Sequence, residues 1–242
     1  MTFLHLLYYN DYCAKNRQIH YSSVGEGKMD RILKIIDGKH KLKELGSQGF
    51  SGLKVKGMTF TMNSYEAEGL GYVSTMVAKG FFGLLRMDTL IINPTVLDLP
   101  LFSYDRIHAF GKDKAMIEFY DTMVEKTSLE KLHPIKDKNM KYVFVEEAKP
   151  AWYDDVRLPE TVSYQGKKAD TPAIDAICLE YYKTFFEIDA PAVTDHDAKA
   201  QKIDYYVDGL LNNGGPATDV FVQKFGKEKT SDLFKKVLFL RG

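Results

Sequence analysis

Leu84-Leu-Arg-Met-Asp-Thr-Leu-Ile-Ile-Asn-Pro-Thr-Val-Leu-Asp-Leu-Pro-Leu-Phe-Ser-Tyr-Asp-Arg-Ile-His-Ala-Phe110 holds two strands and the punctuation between them. From Leu84 to Ile92 the chain is apolar and β-branched, and side chains two apart share a face. Leu84, Arg86, Asp88, Leu90 and Ile92 therefore lie on one side, with Arg86 and Asp88 adjacent in an otherwise apolar strand. Asn93-Pro94 and Leu99-Pro100 end that strand, because proline cannot donate to a central ladder. Phe102 to Phe110 resumes the extended pattern, with Asp105, Ile107 and Ala109 on one face.

Strand signals continue on both sides. Leu53 to Met62 alternates, with a change of phase at Gly57 that predicts a β-bulge. Gly71 to Val77 supplies another strand, and Ala115 to Met123 is joined to Phe102–Phe110 by a three-residue turn at Gly111-Lys-Asp113. Five strands with short connections predict an antiparallel meander. Helical periodicity frames it. The first 50 residues read as helix, turn, helix, the second helix running from Met29 to Leu45 with a weak point at Gly38. After a mixed stretch from Lys126 to Ala169, Thr171 and Pro172 open a helix whose Ile174, Ile177, Cys178, Tyr181, Tyr182 and Phe185 form one apolar stripe. Ala198–Leu211, Thr218–Phe225 and Lys227–Leu240 complete the helical third. The order predicts one α+β domain over residues 1–242, with the central antiparallel sheet covered by helices on both faces.

Composition narrows the function. Lys plus Arg and Asp plus Glu each number 33, and this neutrality argues against a chain built mainly to hold nucleic acid or an anionic membrane. The 15 Tyr and 15 Phe against one Trp fit either an aromatic core or a cavity for a flat ligand. Cys13 and Cys178 are far apart in sequence, which indicates neither a disulfide framework nor a zinc site. The apolar start lacks a basic region and is broken by His5, so a soluble, cytoplasmic protein is expected. No phosphate-loop, dinucleotide-binding or metalloprotease motif is present. Asp195-His196-Asp197 reads as a helix start or solvated loop rather than a metal site.

Polar residues within the strands carry the chemistry. Asp88, Asp105, Glu118 and Asp121 are carboxylates in predicted strands, where burial must be offset by pairing, hydrogen bonding or protonation. An elevated pKa there supports proton donation; a wet face, or a structural Arg86–Asp88 ion pair, accounts for the pattern as well.

Asn93-Pro-Thr-Val-Leu-Asp-Leu-Pro-Leu-Phe-Ser-Tyr-Asp105 resembles the proline-containing segment of the ferredoxin-dependent bilin reductases. Met116-Ile-Glu-Phe-Tyr-Asp121, Lys149-Pro-Ala-Trp152, and Phe225-Gly226 through Val237-Leu-Phe239 follow in that family's order, so the resemblance spans about residues 50 to 240. It implies a three-layer α/β/α sandwich with an open-chain tetrapyrrole, such as biliverdin, between sheet and C-terminal helices. It also implies no permanently bound metal or flavin, with single electrons arriving from ferredoxin or a similar acidic carrier such as flavodoxin. By the same resemblance Asp105 is the catalytic proton donor, and Asp88 takes the place of a catalytic histidine as its partner. Met76 stands where the family carries a catalytic glutamate, and Asn213 or Gly214 falls at a substrate-contacting position. Arg86 is a candidate to hold the propionates, since these need cationic partners. Arg31–Lys43 or Lys131–Lys141 supplies a basic patch for the carrier, or forms an ordinary solvated face. Loss of the glutamate leaves two functions open, a reductase and a noncatalytic tetrapyrrole-binding protein.

Overall fold

The computed structural model describes residues 28–145 and 151–241. Residues 1–27, which include the first expected helix, and Lys149-Pro150 of the resemblance lie outside the described residues. Helix α1 (Lys28–Lys39) is followed by strands β1 (Leu42–Gly46), β2 (Leu53–Val55), β3 (Met58–Ala67), β4 (Gly71–Gly80), β5 (Leu85–Pro94), β6 (Leu101–Ala109) and β7 (Lys112–Tyr120). The short α2 (His133–Lys138) and strand β8 (Val162–Lys167) come next, then α3 (Thr171–Phe185), α4 (His196–Asn213) and α5 (Pro216–Leu233). A π-helical turn, Phe234–Leu238, follows α5. The eight strands form one antiparallel sheet in the order β1-β3-β4-β5-β6-β7-β8, with β2 beside β1 along the outer edge of β3.

The meander expected from the sequence is present, with four local corrections. The phase change at Gly57 is a two-residue hairpin, not a bulge: Val55 faces Met58, and Lys56 (φ 47) and Gly57 (φ 76) occupy the left-handed region as a type I′ turn requires. The β6–β7 turn likewise has two residues, Phe110 (φ 49) and Gly111 (φ 79), between paired Ala109 and Lys112. The helix expected over Met29–Leu45 ends at Lys39, and Leu42–Gly46 pairs with β3 because the apolar positions beyond Gly38 fit a sheet edge. β8 was hidden in the mixed stretch, since only Val162 and Tyr164 of its six residues face the core.

Two apolar cores sandwich the sheet. On one face the stripes Met29, Ile32, Leu33 and Ile36 of α1 and Ile174 to Phe185 of α3 pack on Tyr104, Phe102, Phe119 and Tyr164. Ring contacts such as Phe102–Phe119 at 5.1 Å and Phe102–Phe185 at 5.1 Å each add about 0.5–1.5 kcal/mol beyond simple burial. On the other face Ile203, Tyr206 and Val207 of α4, Phe221 of α5 and Phe234 to Phe239 cover Phe60, Met62, Met76 and Ala78. Ser74 Oγ donates to Leu238 O at 2.6 Å and Asn93 Nδ2 to Phe239 O at 2.6 Å, fixing the C-terminal turn to β4 and β5. Among the described residues no helix is long and apolar enough to cross a membrane.

Candidate functional site

Register decides which polar residues meet. A continuous row crosses the sheet: Met62, Met76, Thr89, Asp105, Met116 and Ser163, one from each of β3 to β8. Residues opposite one another in paired strands point to the same face, so all six share the face covered by α4 and α5. The adjoining row is Ser74, Ile91, Ser103 and Glu118. Glu118 is thus the diagonal neighbour of Asp105, at the ~7–8 Å backbone spacing of such pairs.

The helices roof this face unevenly. Over β3 to β5, Phe60, Met62, Met76 and Ala78 are buried under α5 and the π-helical turn. Over β6 to β8, by contrast, Asp105, Ile107, Lys114, Met116, Glu118, Ser163 and Gln165 are only half-buried. On β7 the two faces alternate strictly. Asp113, Ala115, Ile117 and Phe119 are buried on one face, while Lys114, Met116 and Glu118 on the other reach solvent. The result is a shelf whose inner wall is aromatic. Tyr206 of α4 lies 4.2 Å from Tyr120 between ring centroids and 5.6 Å from Trp152, and Tyr153 meets Tyr120 edge-on at 5.9 Å.

Thr89 Oγ1 donates to Asp105 Oδ1 across the β5–β6 ladder. Burial raises the pKa of Asp105 against the smaller opposing effect of this hydrogen bond. Glu118 is pushed up to about 7, first by burial and then by the negative charge of Asp105. Tyr120 and Tyr206 are raised above the phenol range, again chiefly by burial. Of the two carboxyls Glu118 is the one pushed into the neutral range, and with the two phenols, which keep their protons, it places exchangeable protons beside Asp105.

Asp88 does not join this group. It lies opposite Arg106, in the row Val77, Asp88, Arg106, Ala115 and Tyr164, which points to the α1–α3 face. There Arg86 Nε donates to both carboxylate oxygens of Asp88 at 2.9 Å, so the pair is the structural ion pair that the strand pattern left open. The expected Asp88–Asp105 partnership is not formed, because positions 88 and 105 differ in parity within the β5–β6 register. Arg86, held on that same face, is likewise not brought to Asp105. Arg106 is fully buried beside it, its Nη2 2.5 Å from Asp113 and 3.1 Å from Asp175. Thr171 Oγ1 also donates to Asp113 at 2.6 Å, which ties the first turn of α3 to β7.

Met76 is buried on the site face two strands from Asp105, where it packs in the core and has no proton to give. Asn213 ends α4, exposed, with its Nδ2 donating to Gly209 O at 2.9 Å; it makes no contact with Asp105. Asp195 caps α4 by accepting from Ala198 N at 2.9 Å, and the described residues contain no cluster able to hold a metal ion. The basic runs are partly engaged locally: Lys43 pairs with Glu66 at 3.0 Å, Lys131 donates to Glu187 O at 2.6 Å, and Lys138 pairs with Glu180. Sequence reasoning noticed Glu118 as a strand carboxylate without placing it. The missing signal was register, which the two-residue turn at Phe110-Gly111 supplies.

No family model matches the chain, and no curated protein matches it in sequence. The fold is nevertheless shared with a solved structure, that of phytochromobilin synthase from tomato in complex with biliverdin. The two are 13% identical with a TM-score of 0.61, over 88% of this chain and 85% of the other.

Proposed function

We propose that the chain binds a linear tetrapyrrole on the shelf above Asp105 and Glu118 and reduces it with electrons from a ferredoxin-like carrier. The observation that carries this reading is the pairing of two carboxyls of raised pKa on the half-exposed part of an otherwise roofed sheet. A fold shared with a protein solved holding biliverdin supports the ligand class, as does the resemblance around Asp105. Reduction of one double bond takes two electrons and two protons. Two one-electron carriers are oxidised in turn, and the protons come from the Asp105–Glu118 pair, which reloads from water at the open edge of the shelf. Protonation of the bound pigment makes each electron easier to accept, so the donors must lie within hydrogen-bond reach of it. Trp152 and Tyr153, the partly exposed rings of the wall, are the ones within reach of a flat conjugated system, backed by the buried Tyr120 and Tyr206. Lys114, on the same face beside Gln165, is the cation placed for a propionate, in place of Arg86.

A binding protein without turnover is the second reading, favoured by Met76 in the row of Asp105. Absorption spectra of biliverdin with the protein test both, before and after anaerobic addition of reduced ferredoxin. A shift on mixing followed by bleaching or a new band on reduction supports the reductase. In that case Asp105→Asn lowers turnover by ~10²–10⁴-fold, the usual weight of a positioned acid, while Asp88→Asn leaves the pigment chemistry intact. A shift without turnover leaves the binding protein, and no shift with any linear tetrapyrrole sinks both.

A further inference from the structure

Three hairpin tips project from one end of the sheet. Val55 faces Met58, Met58 faces Gly80, Leu85 faces Ala109 and Ala109 faces Lys112, so the β2–β3, β4–β5 and β6–β7 turns stand side by side, about 10 Å apart at two strand spacings each. The last two tips are joined, Phe110 N donating to Leu84 O at 3.3 Å. They carry large apolar side chains turned outward: Phe81 at 53% exposure, Leu84 at 58%, Phe110 at 73%, and Phe82 fully exposed.

Two features argue that these rings are held out for a purpose. Phe81 (φ 52), Phe82 (φ 54) and Phe110 (φ 49) are all left-handed, a conformation that costs a bulky residue about 1 kcal/mol or more and that Gly or Asn adopts with less strain. The surroundings are also basic. Lys54, Lys56, Lys79, Lys112, Lys167 and Lys168 are exposed at the same end, and none is held in an ion pair among the described residues. The carboxylates nearby are engaged: Asp88 with Arg86, Asp113 with Arg106, and Asp170 by accepting from Lys167 N. A chain of zero net charge therefore presents a locally cationic end tipped with phenylalanine.

We propose that this end docks on an anionic lipid bilayer, with Phe81, Phe82 and Phe110 entering the interface and the lysines meeting the headgroups. Charge complementarity selects a negative surface, and shape selects lipid. The rings sit on separate convex tips that offer a protein partner no groove, whereas a bilayer accepts protruding apolar groups without a matching pocket. Each lysine near a negatively charged leaflet adds attraction that salt screens. The proposal is independent of the chemistry at Asp105, which lies four residues along β6 from the tip.

Vesicle flotation tests it with the full chain, using phosphatidylcholine alone and phosphatidylcholine mixed with phosphatidylserine. Binding to the mixed vesicles, absent on the neutral ones and lost in high salt, is expected. Phe82→Asn with Phe110→Asn lowers the partition coefficient by ~10-fold or more, since the inserting rings are gone. Those replacements suit left-handed backbone, and an unchanged melting temperature or a rise verifies that the fold is intact. Failure to float with mixed vesicles overturns the proposal. So does flotation that the double substitution leaves unchanged, and so does an exposed patch that captures an acidic protein but no vesicle.

Discussion

Replacing Glu118 by Gln removes a charge that the folded chain resists forming, and its effect on stability depends on pH in a way fixed by the site. In the folded protein Glu118 titrates at about 7; unfolded, it returns to its ordinary value of 4.5. Between those values the folded state keeps a proton that the unfolded state has released. Fewer protons bound to the unfolded chain means that stability falls as pH rises through this window, and the loss is complete above it. The interval from 4.5 to about 7, at ~1.4 kcal/mol per pH unit, amounts to ~3 kcal/mol. Glutamine preserves the shape without the charge. Urea unfolding of Glu118→Gln is expected to match the native chain near about pH 4 and to exceed it by up to ~3 kcal/mol near about pH 8. Asp105→Asn provides the internal control: the negative neighbour is gone, so the Glu118 titration followed by carboxyl-carbon NMR moves down. A Glu118→Gln difference of equal size at both ends of the pH range refutes the raised Glu118 pKa on which this reasoning rests.

Four further outcomes follow from packing, charge and turn geometry. Lys199 is buried, its Nζ 3.2 Å from Asp98 Oδ1 and 2.6 Å from Leu99 O, and burial lowers it to about 8; Lys199→Met strands the buried Asp98 with only the Val124 and Glu125 N–H groups and costs ~3 kcal/mol by chemical denaturation, an effect absent if the pair is dispensable. Because unfolded lysine holds its proton to 10.5, native stability carries a Lys199 contribution that rises with pH between about 8 and 10.5. Gly209→Ala sets a methyl 2.0 Å from Trp152 Cζ3, so the single tryptophan must leave α4, with red-shifted emission and a loss of ~1–3 kcal/mol; unchanged emission contradicts the contact. Lys56→Asn gives the β2–β3 hairpin the Asn-Gly pair its left-handed turn favours and raises the melting temperature, corresponding to ~0.5–1 kcal/mol, whereas a fall argues against the type I′ geometry.

The meander and the flanking helices were legible from pattern: alternation from Leu53 to Met62, the apolar β-branched run from Leu84 to Ile92, and the 3.6-residue stripe from Ile174 to Phe185. What stayed hidden was relational. Whether position 88 or 118 accompanies position 105 turns on strand register, and register depends on whether Gly111 closes a two- or a three-residue turn. Arg86 and Asp88 were correctly seen as neighbours, yet nothing in their spacing said which layer of helices they face. β1 and β8 escaped notice for a different reason. Each is a short edge strand whose outer positions are mixed (Lys43 and Leu45 in β1; Ser163, Gln165 and Lys167 in β8), so it has little periodic signal to offer.

The order of the elements also sets the order in which the molecule closes during synthesis. Every strand from β3 to β8 pairs with its predecessor, so the sheet can lengthen one hairpin at a time as the chain emerges. The cover of the opposite face, α1 and α3, is in place once residue 185 has appeared. Phe60, Met62, Met76 and Ala78 on the face of Asp105 are covered by α4, α5 and the turn after them, which follow α3 in the chain. Until α4 and α5 have appeared the nascent protein holds one finished core and one bare apolar face, the interval in which a chaperone, or a flat hydrophobic ligand, has freest access to it.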